Sequence, residues 1–399
     1  MRFLYPLLAI GVLAASPALA QTSSADSASA GARSAANTRT SLFAPSDKPN
    51  FIPVPVAFYQ QETGFAGGAA VLPVWRFGTD TTVRKSNARL IAWFSQKKQS
   101  TIQLTHTIFT PGERFYFSGE LSRYDQKLFY YGIGNETSTS RESELTYKLL
   151  IFDEKALARV GDNLFAGVRY RLTNTTDIEP QGTDDEGRPN YFLVDPRLTA
   201  RERQNTFVSG VGPSVLYDGR DNVLATYRGN FLDAHVLFHG SGLGSDYRFT
   251  RYQLDARHFR PLFGSTNTIL ALNLIGQFHS GAVPFREMGG MGQNLGGALF
   301  NNAAIMRGIY ESRFRDRQTV VFQGEIRQKL FWRFDGAVFA GVGEVGNRMS
   351  DLELDKTKIA AGAGLRFRFN RRDRLNIRLD YAGGSNTPGS IYFAVGEAF

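Results

Sequence analysis

From about residue 51 to the C-terminus, apolar and polar side chains alternate, the period of two that sends successive residues to opposite faces of a β-strand. In Thr319 to Leu330 one parity reads Val320, Phe322, Gly324, Ile326, Gln328 and Leu330; the other reads Thr319, Val321, Gln323, Glu325, Arg327 and Lys329. Further on, Ile359, Ala361, Ala363, Leu365, Phe367 and Phe369 oppose Ala360, Gly362, Gly364, Arg366, Arg368 and Asn370. Leu375, Ile377, Leu379 and Tyr381 likewise oppose Asn376, Arg378 and Asp380. Each predicted strand has one apolar face and one charged or small face. The pattern predicts sixteen strands, over 52–60, 64–76, 88–97, 100–109, 113–125, 143–157, 163–176, 206–218, 228–239, 247–261, 267–280, 318–331, 333–345, 357–370, 374–383 and 390–399.

A soluble β-sandwich would also alternate, but its strands average about five or six residues and turn their polar face to water. These segments run to ten or more, the length a tilted strand needs to cross roughly 25–30 Å of hydrocarbon. Within a bilayer every backbone N–H and C=O must find a partner, so such a sheet closes on itself with lipid outside and a polar lumen inside. The expected fold is all-β, a 16-stranded antiparallel transmembrane β-barrel over residues 51–399. Connector lengths agree with it. The longest three (126–142, 177–205 and 281–317), and 346–356, all follow odd-numbered strands, as outer loops do when the N-terminus is periplasmic. Most even-numbered connectors are short turns such as Phe263-Gly264-Ser265; the exceptions are 77–87 and 219–227.

Ahead of the strands, Arg2 precedes an apolar run from Phe3 to Ala15, and Ala18-Leu19-Ala20 follows. This is the pattern of a secretory signal peptide over residues 1–20. Its apolar run falls short of the ~20 residues a spanning helix needs. Residues 21–50 are rich in Ser, Ala, Thr and Asn with few large apolar side chains, the composition of a flexible periplasmic tail.

Composition narrows the chemistry. The 399 residues include no Cys, so disulfide frameworks, thiolate metal sites and thiol nucleophiles are excluded. Aromatic residues at 13% are too many for a disordered chain. A net charge of +9 invites a nucleic-acid reading, yet Lys and Arg are scattered through the strands and not clustered with aromatics. Arg169, Arg171, Arg366, Arg368 and Arg378 fall on the polar parity and predict a basic inner wall that would favour anions if the lumen conducts. Gly341-Val342-Gly343-Glu344-Val345-Gly346 matches a dinucleotide fingerprint, but no βαβ unit surrounds it. His235 and His239 share a strand face with Asp233 and are read as lumen-lining groups in preference to metal ligands or a catalytic cluster. No catalytic residue, metal or cofactor is assigned.

The longest connector carries Gly289-Gly290-Met291-Gly292, Gly296-Gly297 and Met306-Arg307-Gly308-Ile309-Tyr310. This last segment precedes Gly324-Glu325-Ile326-Arg327, Phe339-Ala340-Gly341-Val342-Gly343, Gly362-Ala363-Gly364-Leu365-Arg366-Phe367, Arg378-Leu379-Asp380-Tyr381-Ala382 and the terminal Gly396-Glu397-Ala398-Phe399. The series resembles the barrel of the BamA/TamA outer-membrane assembly family. Upstream, Tyr131-Gly132-Ile133-Gly134-Asn135 and Tyr217-Asp218-Gly219-Arg220-Asp221-Asn222 look like other recurring segments of that family.

The resemblance implies that the sixth outer loop folds into the lumen and that Arg307, with Gly308 and Tyr310, docks on the inner wall. Glu325 is its implied partner, since a buried guanidinium needs a bidentate acceptor. In the family's strand-13 pattern an Asp stands where this chain has Gly341, between Phe339 and Gly343, so a second anchor is missing and the loop is expected to sit more loosely. Phe399 is implied as the terminal-strand assembly signal. Partners implied are outer-membrane lipid and lipopolysaccharide, and the barrel-assembly machinery that would insert the chain; no nucleic acid is among them. Family members that handle substrates carry periplasmic capture domains, for which residues 21–50 leave no room. The function implied is therefore outer-membrane assembly or translocation of protein or lipid, by a barrel-only member. Its runner-up is a passive anion-preferring pore or structural surface protein. An outer-membrane hydrolase stands third, without a Gly-x-Ser-x-Gly motif to support it.

Overall fold

The computed structural model describes residues 50–60, 63–80, 82–184, 186–293, 304–311, 313–371 and 374–399. The signal segment, most of the tail, and Gly296-Gly297 lie outside the described residues. Among the described residues, sixteen strands form one antiparallel sheet in which each pairs with its chain neighbours. They are β1 (Asn50–Gln60), β2 (Gly64–Trp75), β3 (Ser86–Ser95), β4 (Ser100–Phe109), β5 (Phe115–Tyr130), β6 (Ser143–Gly161), β7 (Leu164–Gln181) and β8 (Thr206–Asp218). The second half comprises β9 (Gly229–His239), β10 (Phe249–Leu262), β11 (Ser265–Gly281), β12 (Gln318–Phe331), β13 (Phe334–Gly346), β14 (Lys358–Asn370), β15 (Leu375–Gly384) and β16 (Thr387–Val395).

The predicted strands coincide closely with these. The main differences are that β5, β6 and β7 reach further towards their connectors, and that the last strand stops at Val395 instead of running to Phe399. Gly396 adopts φ 90°, a left-handed turn that costs Gly little, and the last four residues leave the sheet.

The two faces have inverted polarity for a protein in water. Phe322, Ile326, Val338, Ile359, Leu365 and Leu379 are exposed, whereas Asp153, Arg169, Asp255, Glu325, Arg366 and Asp380 are buried. The exposed apolar residues recur along successive strands, a surface suited to hydrocarbon.

The polar face is concave, because side chains from strands well apart in the sheet meet across it. Lys155 of β6 pairs with Asp233 of β9, and the rings of Phe109 on β4 and Phe165 on β7 lie 6.4 Å apart. Leu224, in the connector after β8, packs with Leu72 of β2 and Leu375 of β15, and Val56 of β1 and Val395 of β16 border the same cluster.

Strict alternation of direction puts all connectors after odd strands at one end, here the loop end, and those after even strands at the other, the turn end. The turn end includes tight hairpins at 162–163, 263–264 and 332–333.

Candidate functional site

The described residues of the connector from β11 to β12 lie against the polar face. Its residues Gly289 and Gly290 bridge to Asp316 and Arg315, and Ile305, Met306, Arg307 and Ile309 are buried. Arg307 donates one arm of its guanidinium to Glu325 of β12 and the other to Asp380 of β15. Its plane lies over the ring of Phe339 on β13, 3.6 Å from the centroid.

The register explains this geometry. Glu325 and Phe339 are direct cross-strand partners, and Phe339 faces Gly362 of β14, where a Cβ would meet the ring at 2.5 Å. Gly362 thus lets the ring lie flat as a floor for Arg307. Gly364, opposite Asp380, plays the same part for that carboxylate: a Cβ there would fall 2.0 Å from Oδ1.

The segment flanking Arg307 is shaped to the wall. Gly308 has φ 105°, and a Cβ on it would lie 2.8–2.9 Å from the Gly383 backbone. Its N–H donates to the Tyr392 hydroxyl at 3.0 Å. Met306 lies over the notch that Gly341 and Gly343 leave, since a Cβ on Gly343 would meet its sulfur at 2.7 Å. Tyr310 packs its ring 5.7 Å from Phe129 and 5.8 Å from Tyr131. The looser loop expected from Gly341 is not what the geometry gives. The second carboxylate comes from Asp380, two strands further on, and Gly341 makes space for Met306, the residue standing where the family motif has Val.

Around this anchor, four guanidiniums share three carboxylates. Glu325 also accepts from Arg327 (2.7 Å) and Arg366 (3.2 Å), and Asp380 from Arg366 (2.5 Å) with Arg378 at 3.3 Å. Glu397, from the terminal turn, meets Arg366 at 3.3 Å and accepts from Asn376 at 2.6 Å. Phe399, expected at the end of a strand, is buried on the polar face beside Phe259 and Ile305, and its main-chain oxygen accepts from Arg327 at 3.1 Å. Once Gly396 turns the chain inward, Glu397 finds guanidinium partners and Phe399 an apolar niche.

The connector is held at a second point. Glu287 accepts from Arg251 (2.5 Å) and Thr173 (2.6 Å), with Arg171 at 3.8 Å. Burial on its own would raise the carboxyl's pKa, but Arg251 and Arg171 outweigh that and hold it at about 2. At the loop end, Arg197, from the connector after β7, forms a fork to Asp316 with both bonds at 3.0 Å, and also reaches the Ile133 carbonyl at 3.0 Å. Tyr130, Phe192 and Phe285 pack edge to face with centroids 5.3–5.8 Å apart. Three loop-end connectors thereby pack as one unit.

The five arginines expected on the inner wall all fall on the polar face, but partnered. Arg169 forks onto Asp153 (2.8 and 2.7 Å), and Arg171 reaches the same carboxylate at 2.9 Å. Arg368 sits near the turn end with Asp335 at 3.4 Å. His235 shares a 3.0 Å hydrogen bond with Arg169, and His239 stacks on Phe249 at 4.0 Å, so the two rings serve the wall separately. Sequence reasoning missed Asp380, Asp153, Glu287 and Glu397 as partners, although Asp380 stands on the polar parity of its strand.

The Omp85 superfamily domain matches residues 93–399. Among solved structures the chain resembles CdiB from Escherichia coli (TM-score 0.52, 10% identity, 86% of this chain and 61% of that one). It also resembles CdiB from Acinetobacter baumannii (0.50, 12%, 88% and 58%) and BamA from Haemophilus ducreyi lacking POTRA domains 1-3 (0.49, 11%, 90% and 75%). The chain spans about three fifths of the length of either CdiB chain. No curated protein matches it. With the domain match running from within β3 to the last residue, over most of the antiparallel sheet, the chain belongs to the Omp85 superfamily of outer-membrane β-barrels.

Proposed function

We propose that the sheet closes into a cylinder between β1 and β16, with residues 282–293, 304–311 and 313–317 folded inside, and that the chain acts in inserting or translocating protein or lipid at the outer membrane. On this reading residues 1–20 direct export and are removed, residues 21–50 form a periplasmic tail, and the loop end faces outward towards lipopolysaccharide. Barrel-assembly machinery inserts the chain itself.

The observation that carries the reading is the Arg307 anchor. A connector whose guanidinium links β12 to β15 across the concave face occupies the space a passive pore would leave to water. The paired arginines weigh against an anion-preferring pore for the same reason, because each carries a carboxylate where a permeating anion would sit. Superfamily membership supports a role in assembly or translocation. Planar-bilayer recording of the intact chain tests it: small, fluctuating currents are expected, and a large, steady, anion-selective current would overturn the reading.

A further inference from the structure

The two turn-end connectors that are too long for hairpins, 76–85 and 219–228, have a use of their own. Even connectors elsewhere in the sheet manage with two to five residues, and hairpins seldom need more than about five. Both long ones turn onto the polar face.

Val83 is 3% exposed and packs among Phe109, Tyr116 and Phe165 at the turn-end tips of β4, β5 and β7. Beside it, Arg84 forks onto Glu113 (2.6 and 3.1 Å), donates to the Asp218 carbonyl at 2.8 Å and lies 4.4 Å over Phe109. The second connector buries Leu224 against Leu72 of β2 and Leu375 of β15. It is tied by Arg374, which pairs with Asp221 at 2.8 Å and lies 4.1 Å over Tyr227. In the sector between them, along β10 and β12, Phe399 packs on Phe259 in one cluster with Ile305 and Met306 of the long loop.

The two connectors lie far apart in the sequence, yet each covers a different arc of the same end. We propose that they form a second plug, at the turn end, distinct from the Arg307 loop, so that the interior is shut twice in series. This rests on the closed-cylinder reading. It means that moving the long loop does not by itself open a path through the chain. A continuous aqueous route also requires the turn-end segments to withdraw.

The chain has no Cys, so single substitutions report access cleanly. In the folded chain in micelles, Val83→Cys and Leu224→Cys should react with a small polar maleimide roughly ten-fold or more slowly than in the urea-unfolded chain, whether or not residues 289–311 are deleted. Equal rates in folded and unfolded chains would overturn the plug even if no other variant folds.

In planar bilayers, deletion of 289–311 should leave the chain nearly closed. The same deletion combined with Val83→Asp and Leu224→Asp should conduct steadily. A loop deletion that already passes the full current refutes the second plug and leaves the cylinder standing. A combined variant that migrates as folded on unheated gels but passes no current refutes the cylinder and the plug together.

Discussion

Arg307 stacks on Phe339, with the guanidinium carbon 3.6 Å from the ring centroid, while its two arms reach Glu325 and Asp380. The ring faces one side of a cation whose edges are already taken by carboxylates, so the side chain is held from three strands at once. Removing one member of such a buried group leaves the others less fully compensated. Arg307→Ala is expected to cost roughly 3 kcal/mol, the low end for breaking a buried pair, because Arg327 and Arg366 still serve Glu325 and Asp380. Arg368→Ala, at a partly exposed pair, should cost under about 1 kcal/mol. Urea unfolding of the two variants in lipid vesicles measures the difference; equal midpoints would show that Arg307 is not an anchor.

Gly308 follows Arg307 with a left-handed backbone pressed against Gly383. Gly308→Ala therefore meets two obstacles, a strained φ and a backbone it cannot displace. A loss of roughly 1–3 kcal/mol is expected. Gly67→Ala is the control, since nothing lies within 4 Å of where its methyl group would stand and its φ is not left-handed. The heat needed to convert each variant from its compact to its unfolded gel form should fall for Gly308→Ala and stay unchanged for Gly67→Ala.

How much of this could be read from sequence depends on the range of the interaction. Alternation is local, so the faces of Glu325 and Phe322, and the strands that carry them, follow from their neighbours. The Arg307 to Glu325 contact was reachable because a motif and a parity met. Asp380 was not, although it stood on the correct face: pairing it with Arg307 requires knowing how deep the connector sits and how sharply the sheet curls from β12 to β15. Phe399 misled for a different reason. An aromatic at the end of an alternating run reads as more strand, and Gly396 was the one residue that signalled a turn.

Glu287 gives the docked connector a pH dependence. Its folded pKa, about 2, lies below the ordinary 4.5, so its contribution is fully present above about 4.5 and is lost as pH falls towards about 2. A shift of that size corresponds to a few kcal/mol, on the order of 3. Between pH 6 and pH 3, wild type should lose more stability than Glu287→Gln. Parallel pH profiles for the two would mean that Arg251 and Arg171 do not hold this carboxylate in the folded state.

Val338 separates a membrane wall from a water-exposed one. It is 56% exposed on the apolar face of β13, opposite Ile326 in the ladder, with Ala363 on its other side. On a soluble surface Val338→Arg would shift stability by about 0.5 kcal/mol or less in either direction. In hydrocarbon the same change strips a guanidinium of water with no carboxylate in reach, and costs roughly 2–4 kcal/mol near the bilayer midplane. The polar face supplies the converse case, since Gln323→Leu, on the other parity of β12, loses hydrogen bonds to Asn273, the Ala304 carbonyl and the Met306 N–H but strands no charge. Folding yield into vesicles should therefore drop sharply for Val338→Arg and modestly for Gln323→Leu. The reverse order would mean that the exposed apolar face of this sheet does not meet lipid.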